Sequence, residues 1–203
     1  MSATDLAIRR CSGADVRRHL DAVAALRIAV FRDWPYLYDG DPAYERDYLD
    51  AYAASPDSVF VLAFDGDAVI GAATGLPLAD DTAEFRAPFD AAGLDADRVF
   101  YFGESVLLPA YRGRGLGHAF FDHREAHAAA LGRFASTAFC AVDRAGDDPR
   151  RPPGHRDNDR FWTRRGYVRQ SDMKVTLPWK QVGEPSETEQ TLTMWLHSLE
   201  NAK

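Results

Sequence analysis

A chain of 203 residues, 46% apolar and 12% aromatic, has the size and composition of one globular domain, expected to span residues 1–203, with a substantial core. Its formal net charge of −7 argues against a nucleic-acid partner, which needs clustered Lys and Arg. No apolar run approaches the roughly 20 residues of a membrane helix, and Met1–Asp5 lacks the basic-then-apolar layout of a secretion signal, so no membrane association and a cytoplasmic location are expected.

In chain order, Leu6–Arg10 alternates like a short strand, and Val16, Leu20, Val23, Leu26 and Val30 recur at helical spacing over about Ala14–Phe31, with Gly13-Ala14-Asp15 as the entry. Asp33–Pro42 reads as a loop, followed by a helix over about Ala43–Ala54. Ser58–Phe64, the turn Asp65-Gly66-Asp67 and Val69–Gly75 read as a hairpin. A polar stretch from Asp80 to Asp97 carries Phe85, Phe89 and Leu94, the pattern of an inserted helix. Val99–Leu108 is the strongest strand, a helix covers about Leu116–Leu131, and Phe134–Val142 is another strand. The Pro- and Gly-rich segment Asp143–Asp157 is loop, a short helix runs over about Asn158–Arg165 to a capping Gly166, and strands over about Val168–Gln181 and Gln190–Leu199 close the chain. This order predicts a mixed α/β fold in which a strand–helix–strand unit makes Val99–Leu108 and Phe134–Val142 a parallel pair. Cys11 and Cys140 are too few for a disulfide framework and read as buried, inert thiols.

The unit strand, Arg112-Gly113-Arg114-Gly115-Leu116-Gly117, helix has the chemistry of an anion site. Glycines let backbone N–H groups approach an anion at the positive end of a helix, and Arg adds charge-assisted hydrogen bonds. A pyrophosphate is the expected ligand. The nucleotide P-loop would end in Gly-Lys-Ser/Thr, where this chain has Gly117-His118-Ala119, and the dinucleotide fingerprint would place its third glycine at His118. Neither template fits.

These residues resemble the acetyl-coenzyme A signature Arg/Gln-x-x-Gly-x-Gly/Ala of the GNAT superfamily of N-acetyltransferases, and Phe161-Trp162-Thr163-Arg164-Arg165-Gly166-Tyr167 resembles that family's second block. The resemblance implies a central, mostly antiparallel twisted sheet of about six to seven strands, with one splayed parallel pair and flanking helices. It implies acetyl-CoA as co-substrate and no metal, with the acetyl group passing by direct attack to a primary amine of a small molecule or peptide. Arg112, Gly113, Arg114, Gly115, Leu116 and Gly117 would cradle the pyrophosphate. Val106 and Leu107 would pair with the pantetheine arm, near a strand bulge between Ser105 and Leu108. Asn158 and Trp162 would border the cofactor. Glu104, an acidic residue in an apolar strand, would be the catalytic base. The Tyr that often serves as acid is replaced by Trp162, whose indole gives up no useful proton. A second reading follows: a catalytically weak or inactive module that binds or senses acyl-CoA. Trp34, Tyr36 and Tyr38, in the aromatic loop after the first helix, are the expected acceptor contacts. A homodimer is expected by analogy with relatives. His123 and His127 share a helix face, but the order His-x-Glu-x-His and the lack of a third ligand argue against zinc.

Overall fold

A computed structural model describes residues 6–12 and 14–199; Met1–Asp5 and Gly13, used above for the absent signal and the first helix entry, lie outside it. The chain forms strand β1 (Leu6–Cys11), helices α1 (Ala14–Arg17), α2 (Leu20–Phe31) and α3 (Pro42–Ala54), then strands β2 (Val59–Asp65) and β3 (Ala68–Pro77). Helix α4 (Ala83–Ala91) precedes β4 (Val99–Tyr101) and β5 (Ser105–Leu107), followed by α5 (Leu116–Leu131), β6 (Ser136–Val142), α6 (Asp159–Arg164), β7 (Val168–Lys180) and β8 (Glu187–Ser198).

All eight strands among the described residues join one sheet in the order β1-β2-β3-β4-β6-β8-β7, with β5 continuing from β4 along β3. Every pairing is antiparallel except β4 with β6. The parallel pair anticipated from the strand–helix–strand unit is therefore present. The strand count exceeds the six to seven expected because the segment read as one strand, Val99–Leu108, is broken in two. The first long helix is likewise divided, into α1 and α2.

Both sheet faces are covered, which explains the continuous apolar run of β2. Phe60, Leu62 and Phe64 face the core shared with Val23, Leu26 and Leu49 of α2 and α3. Val59, Val61 and Ala63 face the core shared with Phe120, Phe121 and Ala128 of α5. The helix ends follow local chemistry. Asp41 caps α3 by accepting the N–H groups of Ala43 and Tyr44 at 2.9 and 2.8 Å, with Pro42 at the first helical position. Among the described residues no helix is long and apolar enough to cross a membrane.

The break between β4 and β5 is packed to contact. A Cβ on Gly103 would stand 2.6 Å from the Tyr52 hydroxyl and 2.7 Å from Thr74 Oγ1. Gly103→Ala is expected to cost about 1–3 kcal/mol, the range for overpacking a filled interior, read as a lower urea midpoint at unchanged m-value.

Candidate active site

The site begins with a register error built into the sheet. Tyr101 pairs with Leu76 and Ser105 with Ala73, so four steps along one strand match three along β3. The extra residue lies at Gly103-Glu104: Thr74 O accepts from Gly103 N–H at 3.2 Å, and Thr74 N–H donates to Glu104 O at 3.1 Å. This is a β-bulge, which bends the strand that carries it. It falls before Ser105, not between Ser105 and Leu108 as the family resemblance implied.

The bend parts the parallel pair. β4 follows β6 through Tyr101 and Ala138, with a last bond from Phe102 N–H to Ala138 O at 2.7 Å. β5 then stays on β3 while β6 runs on to Val142 beside β8 alone. A cavity of about 660 Å³ opens there, bordered by Phe102–Ser105 and Leu107 on one side and Phe139–Arg144 on the other. Glu104 O and Leu108 N–H bond to β3, and alternation along an antiparallel strand gives Val106 the same direction. Val106, fully buried, thus turns its backbone groups to β3, whereas those of Ser105 and Leu107 face the parted edge. Leu107 O accepts from Arg112 Nε at 3.2 Å.

From β5 a turn at Pro109–Tyr111 leads into the glycine segment, where Gly113 and Gly115 have φ of 77° and 83°, a region open to glycine at little cost. The backbone N–H groups of residues 113–117 donate to no other described residue, and a Cβ at Gly113 or Gly115 would meet nothing within 4 Å. Five free amides thus surround open space at the start of a 16-residue helix. Arg112 and Arg114 donate only to backbone carbonyls and form no ion pair among the described residues, which leaves two uncompensated cations beside the amides.

Glu104 sits at the bulge with 5% of its surface exposed. Its Oε2 accepts from Arg27 Nη1 at 2.6 Å and from the Tyr48 hydroxyl at 3.2 Å, while Oε1 is buried without a partner. Arg27 also bonds the buried Glu45 through Nε and lies 4.2 Å over the Tyr48 ring. On the other side Arg124, 1% exposed, donates to the carbonyls of Thr74, Glu104 and Phe120 and to Ser105 Oγ, which fixes the bulge from α5. Burial lowers the Arg124 pKa to about 10. Sequence reading passed over Arg27, Glu45 and Arg124. Arg27 directly follows Leu26 on the buried face of α2, and a charged residue on a core-facing stripe was the available signal.

The remaining expected residues divide. Arg112, Gly117, Asn158 and Trp162 border the cavity, as do Trp34 and Tyr36. The Trp162 ring packs 5.0 Å from Phe139 and 5.1 Å from Trp195. Tyr38 is not on the cavity wall; it bridges to Gln181 and ties its loop to the end of β7. His123 and His127 belong to no metal-binding group among the described residues, and His127 Nε2 bonds the Asp57 carbonyl at 2.8 Å. Burial pushes the Cys140 thiol up to about 12, which makes it unreactive at neutral pH.

Behind Glu104, the Tyr48 and Tyr52 rings pack at 4.8 Å, and Tyr52 donates to Asp81, 8% exposed. Burial raises the Asp81 carboxyl to about 6. The folded state then holds a proton that the unfolded chain releases near pH 4, so this contribution to stability is present below pH 4 and is lost as pH rises through about 6. Asp81→Asn removes the effect. Relative to the parent, the variant should gain about 2–3 kcal/mol between pH 4 and pH 7, measured by urea unfolding at each pH.

The architecture matches solved structures. ACIAD1637 of Acinetobacter baylyi aligns over 98% of this chain and 95% of its own, with TM-score 0.65 at 12% identity. yncA of Salmonella typhimurium, solved with its cofactor acetyl-CoA, aligns over 97% and 95%, with TM-score 0.60 at 15% identity. A ribosomal-protein-alanine N-acetyltransferase of Brucella melitensis aligns over 95% and 99%, with TM-score 0.61 at 13% identity. At these identities the likeness is one of fold. Among curated protein sequences no match was found. The acetyltransferase (GNAT) family model matches residues 24–150, more than half of the chain, and the protein belongs to that family.

Proposed function

We propose that this chain, acting as one domain over residues 1–203, is an acetyl-CoA-dependent N-acetyltransferase with a primary amine as acceptor and Glu104 as its base. The observation that carries the reading is the placement of a buried carboxylate, with one unpartnered oxygen, at the bulge where β5 and β6 part. Five free amides and the unpaired Arg112 and Arg114 suit a pyrophosphate. The parted edge of Ser105 and Leu107 suits an amide-bearing arm that adds to a strand. Asn158 and Trp162, on the opposite wall, would border that arm.

Acetyl-CoA supplies an acetyl group activated as a thioester. The chain's part is to hold that group in the gap and to bring a neutral amine to it. An amine is mostly protonated at pH 7, and Glu104 Oε1 is the free acceptor for its proton. Arg27 and Tyr48 hold the other oxygen, so one carboxylate atom is left without a partner in a residue that borders the cavity. No tyrosine stands at position 162 to give a proton to the departing thiolate, because the packed Trp162 ring occupies that place. This packing favours the second reading, a module that binds acyl-CoA without turnover. Release of free thiol separates the two: saturable acetyl-CoA binding with no thiol from any amine in a broad panel would establish the module.

Gly115→Glu places a carboxylate among the free amides at a φ of 83°. It should abolish acetyl-CoA binding by calorimetry while the circular dichroism spectrum stays that of the parent. Glu104→Gln should lower turnover by roughly 10²–10⁴-fold with little change in acetyl-CoA affinity, and a rate near that of the parent would move the base elsewhere.

A further inference from the structure

The wall of the cavity formed by the end of β6 carries a guanidinium with no ion-pair partner among the described residues. Arg144, the second residue after β6, reaches across to the loop after α2. It donates through Nε to Pro35 O at 2.6 Å, through Nη2 to Tyr36 O at 2.9 Å and through Nη1 to Gln190 Oε1 at 3.0 Å. All three acceptors are neutral, and among the described residues Arg144 forms no ion pair. A guanidinium has five N–H groups, so one remains on each terminal nitrogen. That pair is the fork that grips both oxygens of a carboxylate.

The neighbours of Arg144 point the same way. Its guanidinium lies 5.9 Å from the centre of the Trp34 ring, and Trp34 Nε1, a group that can only donate, is buried without an acceptor. Arg156 also borders the cavity, with no ion pair among the described residues. Two carboxylates of this wall are already taken, Asp143 by Arg169 and Lys174 and Asp157 by Arg151 and His155, while Asp159 also borders the cavity. Burial, then the like charge of Arg150, lowers the Arg144 pKa against the opposing pull of Asp148, and an anion at the fork would favour its charged form further. Glu104 and Arg144 border the same cavity. Tyr36 packs on Phe31 at 4.5 Å, and after burial and Cys140 the groups that shift its hydroxyl are Arg27, Glu104 and Arg144. Tyr36, whose carbonyl accepts from Arg144, borders that cavity too.

We infer that Arg144, with the Trp34 indole N–H, forms a carboxylate subsite, and that the acceptor is an amino acid-like molecule whose amine meets Glu104 while its acid group meets Arg144. The inference rests on the acetyltransferase reading for the amine half only. The amides expected to hold the pyrophosphate open α5 on one sheet face, whereas Trp34 and Tyr36 follow α2 on the other.

The test compares acceptors matched in side chain, with and without the carboxylate: arginine and agmatine, histidine and histamine, phenylalanine and phenylethylamine, with phenylalanine amide as a neutral control. Thiol release at saturating acetyl-CoA should favour the carboxylated member of a pair by about 10-fold or more in kcat/KM, the worth of one charged hydrogen-bonded contact. The preference should vanish with the amide. Arg144→Met and Arg144→Lys should erase it too, read as the ratio of kcat/KM within each matched pair so that any loss common to both members cancels, with affinity for acetyl-CoA unchanged. Equal or better use of the decarboxylated amines by the parent protein would overturn the subsite and leave the enzyme reading standing. Weakened acetyl-CoA binding in both variants would reassign Arg144 to the cofactor. If no acceptor releases thiol, the enzyme reading fails. Calorimetry of phenylalanine and phenylethylamine on the acetyl-CoA complex then decides the subsite: tighter phenylalanine supports it, and equal affinities overturn it.

Discussion

Thr74 answers two residues of the opposing strand, Gly103 and Glu104, where a regular sheet would offer one, and the rest of the site depends on that mismatch. Without it, β5 would continue beside β6 and the parallel pair would close. With it, the chain gains an edge whose backbone groups are free and a gap bordered by both strands. The bulge is held by what surrounds it. From α5, Arg124 gathers two carbonyls and a hydroxyl around it, and Tyr52 fills the space where a side chain on Gly103 would stand. A distortion of the sheet is stable here because its freed polar groups find partners.

The same place concentrates charge that would be costly elsewhere. Arg27, Glu45 and Glu104 are all buried, and an ion pair so removed from water repays its desolvation only with good geometry and further hydrogen bonds. Those bonds come from Tyr48 and from the bidentate reach of Arg27. The unpartnered oxygens, Glu104 Oε1 and Glu45 Oε1, are where this network is incomplete. Under the proposed function the first of them is the point of contact with the acceptor. Arg144 is the counterpart on the other wall, a cation held by neutral acceptors. On this reading the cavity carries a negative and a positive site, which suits a molecule with both charges more than a simple amine.

Much of the fold was legible because its signals are local. The helix over Leu116–Leu131 has the bounds its spacing suggested, and β2 and β3 meet at the Asp65-Gly66-Asp67 turn. The order of elements alone required a parallel pair. The break in Val99–Leu108 went unread because apolar content reports burial and not register; its one local signal was Gly103, an isolated glycine inside a strand pattern. Tyr38 and Tyr36 are two residues apart in one aromatic loop. Yet one joins the end of β7 and the other borders the cavity, a difference decided by the paths of β6 and β7.

The sequence by itself determined the family, the sheet's mixed character and the glycine segment, because each rests on neighbours within a few residues: φ above zero at Gly113 and Gly115, a helix start, a strand before it. It also singled out Glu104, as an acid in an apolar run. Only the tertiary structure decided what Glu104 meets. Arg27 is 77 residues away along the chain, Tyr48 is 56 away, and the loop that receives Arg144 precedes it by 108 and 109. Contacts at such separations leave no periodic trace in the chain. They exist because the sheet, once bent at Gly103-Glu104, brings α2, α3, α5 and the end of β6 around one opening.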